Sequence, residues 1–321
     1  MSSGEEQETT ASVVKEIKKQ SSDVNILKEY KEIFSKEKSD GSDKKDDKIA
    51  TESDSLAALK GLIEEKKASI KDDEKRKLWE FGASPHEEFG KTLDDTYGAF
   101  LKWARLKQDT TMVNVSKALR RIESYAEWME SASSDLTEPP LSSSSIKSCL
   151  DVWGMNSTID SEGRFVWWID LGNIDTQKVK NEYKPEDHLR AFVWYCHAVL
   201  YDKNAQENGI IFVENCGKIG IRECFTLMPA KLAAKLDRLT IGVLPIKMVA
   251  IYMLETPFWI SVFSKLMGMF MSKKMKERFV ILQDWSEIER IGGVSATPKR
   301  FGKGKVDGEV ETDVIEDLYF P

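Results

Sequence analysis

Three histidines, His86, His188 and His197, and four cysteines, Cys149, Cys196, Cys216 and Cys224, are the side chains of this sequence best suited to nucleophilic or metal chemistry. Their spacing supports neither. There is no CxxC pair and no histidine at ligand spacing from a cysteine, which excludes zinc and thioredoxin-type motifs. None of the histidines lies in an HExxH or nucleophile-elbow context. His197, inside the apolar run LRAFVWYCHAVLY, reads as a hydrogen-bonded core residue. Asp160, Glu162 and Asp170 are close in sequence, but the first two fall in a turn and the third ends a strand, so they specify no reaction. CGKIG, Cys216 to Gly220, follows a strand yet lacks the spacing and the GK[ST] ending of a phosphate loop. No catalytic residue, metal site or cofactor is expected, and the chain is not read as an enzyme.

A different chemistry is written in ETPFWISVFSKLMGMFMSKKMKERF, Glu255 to Phe279. As a helix from Pro257, this run carries Ser261, Ser264, Lys265 and Gly268 on one stripe. Phe258, Trp259, Val262, Phe263, Leu266, Met267, Met269 and Phe270 cover an arc wider than a surface helix needs. Lys273, Lys274, Lys276 and Arg278 follow at once and must reach solvent. Ser272 is placed to cap a new helical turn, which sets Lys273 and Lys274 at its positive end and makes Lys274 and Arg278 an i, i+4 like-charge pair. An anionic ligand reverses both penalties. A movable apolar helix hinged on Pro257, next to a phosphate-sized basic notch, suits the handling of an amphiphilic lipid, and methionines adapt to ligands of varied shape. A core helix followed by solvated charges is the competing reading.

The elements that must position this segment are legible as alternating strands and helices. RFVWWIDLG (Arg164 to Gly172), GIIFVENC (Gly209 to Cys216), KMVAIYML (Lys247 to Leu254) and RFVILQDW (Arg278 to Trp285) are continuous apolar runs. Helices are expected between them at Glu186 to Ala205, buried on most sides, and at Leu232 to Thr240. The pattern predicts an α/β fold with a mostly parallel sheet. Upstream, Thr92 to Met129 reads as a helical subdomain, with Phe100, Leu101 and Ala104 on one face and Ala118, Ile122, Tyr125 and Trp128 on another. The expected organisation is a charged, disordered or weakly helical tail over 1–73, a helical subdomain over 78–134, a Pro/Ser-rich linker over 135–148, the α/β domain over 149–304 and an acidic tail over 305–321.

With 321 residues, 41% hydrophobic, the chain can bury a large core, and its net charge of −7 argues against nucleic acid as a partner. The N-terminus MSSGEEQETT has no apolar h-region and Ser2 is no myristoylation site, so neither secretion nor that lipid anchor is expected. The apolar stretch Ile241 to Phe270 is broken by Pro245, Lys247, Glu255, Pro257 and Lys265, which argues against a membrane span.

Several segments, in order, resemble the CRAL-TRIO lipid-binding family. DSEGRFVWWIDLG is similar to the family's "D-x-x-GRPV" strand with Phe165 for the proline, and NGIIFVENCG to its next strand, with Asn215 where an acid usually stands. LPIKMVAIYMLETPFWISVFSKLMGMFMSKKMKERF resembles the gate region. TPKRFGKG stands for "LPxEYGG", with Lys299 and Phe301 for glutamate and tyrosine, and FLKWAR with KALRRIESYAEWM resembles the helical N-terminal subdomain. LWEFG is similar to patellins, without their β-rich C-terminal domain. The resemblance implies a sheet that floors an apolar cavity for one lipid, such as phosphatidylinositol or tocopherol, closed by a gate helix from Pro257 to Phe270.

By position, the resemblance implies that Leu189, Phe192, Cys196, Leu236, Leu239, Ile246 and Ile251 line the cavity, with Phe258, Val262, Phe263 and Leu266 from the gate. Lys274, Arg278 and Lys247 match a phosphoinositide-headgroup cleft whose fourth position falls on Val249, and Arg105 matches a cation of the helical subdomain. A cytoplasmic, peripheral, monomeric protein that binds a lipid ligand and exchanges it at phosphoinositide-bearing membranes is the expected function. A lipid-sensing or trafficking module, recruiting a protein partner through the acidic N-terminal tail without transferring lipid, is the alternative.

Overall fold

The computed structural model of the chain describes residues 15, 26–40, 46–81, 84–137, 140–217, 219–269, 271–282, 284–285, 287, 296–302 and 310–320. Helix α1 (Ile26–Asp40), strand β1 (Ile49–Thr51) and helix α2 (Glu52–Ser69) come first, followed by α3 (Leu93–Trp103), β2 (Met112–Asn114) and α4 (Val115–Thr137). The chain continues through α5 (Ser143–Trp153), β3 (Asn156–Ile159), β4 (Phe165–Asp170), α6 (Pro185–Tyr201), β5 (Ile210–Asn215), α7 (Ile221–Leu227) and α8 (Ala230–Asp237). A π-helical turn, Arg238–Val243, leads to β6 (Met248–Leu254), α9 (Phe258–Gly268), α10 (Lys273–Arg278), β7 (Phe279–Ile281) and a last short helix, α11 (Val314–Tyr319).

Five strands form one sheet in the order β3-β4-β5-β6-β7. Only β3 runs antiparallel to its neighbour; β4, β5, β6 and β7 pair in parallel, with Trp167 opposite Phe212 and Ile251 opposite Phe279. The α/β fold with a mostly parallel sheet is therefore present as the apolar runs predict. Alternation along β4 splits the core: Val166 and Trp168 join a cluster with Val213, Leu282 and Phe301 on one face, while Phe165, Trp167 and Ile169 face the large helical core on the other. The loops after β4 and β5 touch. Gly217 has φ +52°, and a Cβ on it would sit 2.3 Å from Gly172 Cα, so two glycines meet where no side chain fits.

Local signals set the helix starts. Thr92 and Asp95 form a capping box at α3, the Thr92 amide donating to Asp95 at 2.8 Å and the Asp95 amide to Thr92 at 3.2 Å. Pro185 occupies the first turn of α6, and Asp187 accepts from the Lys184 amide at 2.8 Å. From His188 to Tyr201 every residue of α6 is buried. The single helix expected over Glu186 to Ala205 stops at Tyr201, because Asp202 caps a separate short helix, Lys203–Asn208, accepting from the Ala205 amide at 2.8 Å. The expected linker is shorter than its composition indicates: α4 reaches Thr137, α5 begins at Ser143, and Arg190 donates to the carbonyls of Asp135 and Pro140 at 2.8 and 3.2 Å.

The two charged ends are ordered parts of the fold where they are described. Strand β1 pairs with β2, and α2 packs on α3 and α4 with Leu59 and Ile63 fully buried. Tyr30, Ile33 and Phe34 of α1 are buried against Ala230, Ala234 and Met275. At the other end, Ile315 of α11 is buried and Tyr319 stacks edge-on to Phe89 and Trp194. Each of these segments carries several charges, but its buried apolar residues fall at i, i+3 or i+4 spacing, a stripe sufficient for docking that an average over the segment conceals.

Candidate functional site

On the helical side of the sheet lies a cavity of about 350 Å³. Its floor is Trp167 and Ile169 of β4, Ile210, Phe212 and Glu214 of β5, and Met248 and Met253 of β6. Phe192 of α6 closes one side, while Cys224 and Phe225 of α7 with Ala233, Leu236 and Asp237 of α8 close another. Helix α9 supplies Trp259, Ile260, Phe263 and Ser264, Met271 and Met275 adjoin it, and Tyr30 reaches in from α1. The lining is overwhelmingly apolar, and the described part of it contains no Lys, Arg or His.

Of the residues expected to line this space, Phe192, Leu236, Ile246, Ile251 and Phe263 do so. Leu189, Cys196 and Leu239 are fully buried in the helical core instead. The i, i+3, i+7 spacing that groups Leu189 with Phe192 and Cys196 cannot orient a helix buried all round, since no polar face marks its outside. On α9 the inward arc is Trp259, Ile260, Phe263 and Ser264, so Phe258 and Val262 lie to its side, and Phe258 is 38% exposed. The side chain of Leu266 and the whole of Phe270 lie outside the described residues.

The gate segment is fastened where it begins. Glu255, at φ +48°, turns the chain out of β6, and its carboxylate accepts from the Trp285 indole at 3.0 Å. Trp259 on α9 donates its indole N–H to the Ile219 carbonyl at 2.9 Å. Ser272 caps α10 as its position predicts, accepting from the Met275 amide at 3.1 Å. Lys274 is exposed and Arg278 half-buried on α10, ahead of β7; Lys247 is exposed just ahead of β6, at the same end of the adjacent parallel strand. Arg105 does not join them: it sits on the β1–β2 ribbon, ion-paired with Glu52.

Sequence reasoning missed the polar groups of the cavity. Burial, and then the charge of Asp237, pushes the Glu214 carboxyl up to about 7; burial pushes Asp237 up to about 6, although Tyr30 donates to it at 2.5 Å. Asn215, taken as standing at the acidic position, points the other way along β5 and donates to Asp170 at 2.9 Å. Strand alternation carries the missing signal, because Glu214 shares the parity of Ile210 and Phe212. His197 is structural: it is held between Tyr125 Oη at 2.9 Å and the Val193 carbonyl at 2.7 Å, and burial drives it down to about 4. Among the described residues, no cluster of three or more metal-ligating side chains occurs, and no helix is long and apolar enough to cross a membrane.

A mostly parallel sheet flooring an apolar, partly open cavity, with helix α9 as one wall, defines an α/β protein suited to hold a hydrophobic ligand. Residues 153–304 match the family model of the CRAL/TRIO domain, and this part of the chain is a CRAL/TRIO domain. The CRAL/TRIO domain is a lipid-binding and lipid-transfer family. Among solved structures, one titled "Crystal structure of Sfh5" shares 13% identity at a TM-score of 0.47, covering 82% of this chain and 91% of that one. No curated protein matches the sequence.

Proposed function

We propose that the chain binds one hydrophobic lipid in this cavity and exchanges it at phosphoinositide-bearing membranes. The observation that carries the reading is an apolar cavity of about 350 Å³ walled on one side by helix α9. Burying an alkyl chain there is driven by about 0.8 kcal/mol per methylene, so the cavity dominates affinity. The volume is at the lower end of small-molecule pockets and suits a single chain or a compact isoprenoid better than two acyl chains. The outer side supports peripheral membrane contact: Phe258 and Met269 are 38% and 65% exposed, and Lys273, Lys274 and Lys276 follow on α10.

Transfer of a fluorescent lipid between vesicles tests the proposal. The expected result is transfer above the spontaneous rate, faster when the acceptor contains phosphoinositide. Binding without transfer would leave a lipid sensor, and neither binding nor transfer would contradict the reading.

A further inference from the structure

Four polar groups of the cavity lie close together. Glu214 comes from β5, Cys224 from α7, Asp237 from the last turn of α8 and Tyr30 from α1. Glu214 feels the charge of Asp237, and Cys224 feels that of Glu214. Asp237 is bonded by Tyr30 at 2.5 Å, whereas the Glu214 carboxyl has no hydrogen-bond or ion-pair partner among the described residues. Among the described residues neither acid is ion-paired: Arg238 lies 4.0 Å from Glu127, and Lys231 and Arg238 act on Glu29 of α1.

Buried carboxyl groups without a cation are costly, and an apolar cavity does not build them in for a purely apolar guest. An anionic guest is repelled by them. An ammonium supplies three donors and the missing positive charge, and its bonds to carboxylates are of the strong, charge-assisted kind. We propose that the region of the cavity formed by Glu214, Asp237 and Tyr30 takes the ammonium group of a single-chain amine amphiphile, whose alkyl part fills the apolar remainder. The proposal rests on the lipid-cavity reading above and names the polar end of the cargo.

Calorimetric titration of the full chain at pH 7 with dodecylamine, dodecanol and dodecanoate, each below its micelle concentration, tests it. The three share a chain and differ only at the end. The amine is expected to bind at least about tenfold more tightly than the alcohol, a gap of about 1.4 kcal/mol, and the acid most weakly. In Glu214→Gln and in Asp237→Asn the margin of amine over alcohol is expected to shrink. An amine no tighter than the alcohol, an acid bound as well as either, or an undiminished margin in both variants overturns the proposal while leaving a lipid cavity intact. If none of the three binds, the cavity reading falls with it. The ranking in the unaltered chain decides the matter even if a variant fails to fold.

Discussion

Tyr30 and Asp237 are 207 residues apart and joined by a 2.5 Å hydrogen bond, which fixes α1 over the cavity beside α8. Ile33 and Phe34, on the same face, pack with Met275 of α10 and with Phe263 of α9. The gate therefore cannot swing outward without disturbing α1. Replacing both Ile33 and Phe34 by Ala is expected to undock α1 and to speed lipid exchange between vesicles by about tenfold, on the usual cost of a few kcal/mol for such truncations. An exchange rate equal to that of the unaltered chain would show that α1 does not restrain the mouth.

The cavity acids predict an inverted pH response. The folded state holds the protons of Glu214, up to about 7, and Asp237, up to about 6, more tightly than the unfolded chain does. Their contribution to stability is complete below the ordinary carboxyl range and is lost as pH rises through these values. His188 and His197, driven down to about 4 by burial, act oppositely: their contribution is complete above the ordinary histidine value and is lost as pH falls. Glu214→Gln isolates one group. Denaturant titrations should show the variant gaining on the parent between pH 5 and pH 8 by on the order of 2 kcal/mol, and an equal difference at both pH values would refute the assignment.

Gly217 lies where a Cβ would meet Gly172 Cα at 2.3 Å, at φ +52°. Backbone cannot yield as a flexible side chain does. Gly217→Ala is expected to lose about 2 kcal/mol or more of stability, read as a lowered thermal midpoint. A midpoint unchanged within error would mean that the two loops are not in contact.

For the membrane face, Lys274→Glu with Arg278→Glu is expected to weaken binding to phosphoinositide liposomes by at least about tenfold, since each cation near an anionic surface contributes about 1 kcal/mol. Lipid loading should persist, because neither residue lines the cavity. Undiminished liposome binding removes α10 from the account.

The sheet was legible because its strands are unbroken apolar runs, a pattern that burial on both faces requires. Helix α9 was legible for a related reason: an arc of Trp259, Phe263 and their neighbours is too wide for a surface helix. What escaped notice depended on context outside any one segment. Leu189 and Cys196 could not be told from Phe192 without knowing which way a fully buried helix turns. Tyr30 was hidden in a segment whose charge resembles a solvated tail, and only the i, i+3, i+4 set with Ile33 and Phe34 betrays its docking. Glu214 was passed over for Asn215, one residue away and on the opposite face of β5.

The central claim is that the space between sheet, α8 and α9 holds one lipid. Native mass spectrometry of the purified chain and of Ala233→Phe, which sends a ring into the cavity from α8, tests it most directly. The account predicts a lipid mass bound one per chain in the parent and lost from a variant of unchanged circular dichroism. Equal lipid occupancy in both proteins would contradict it.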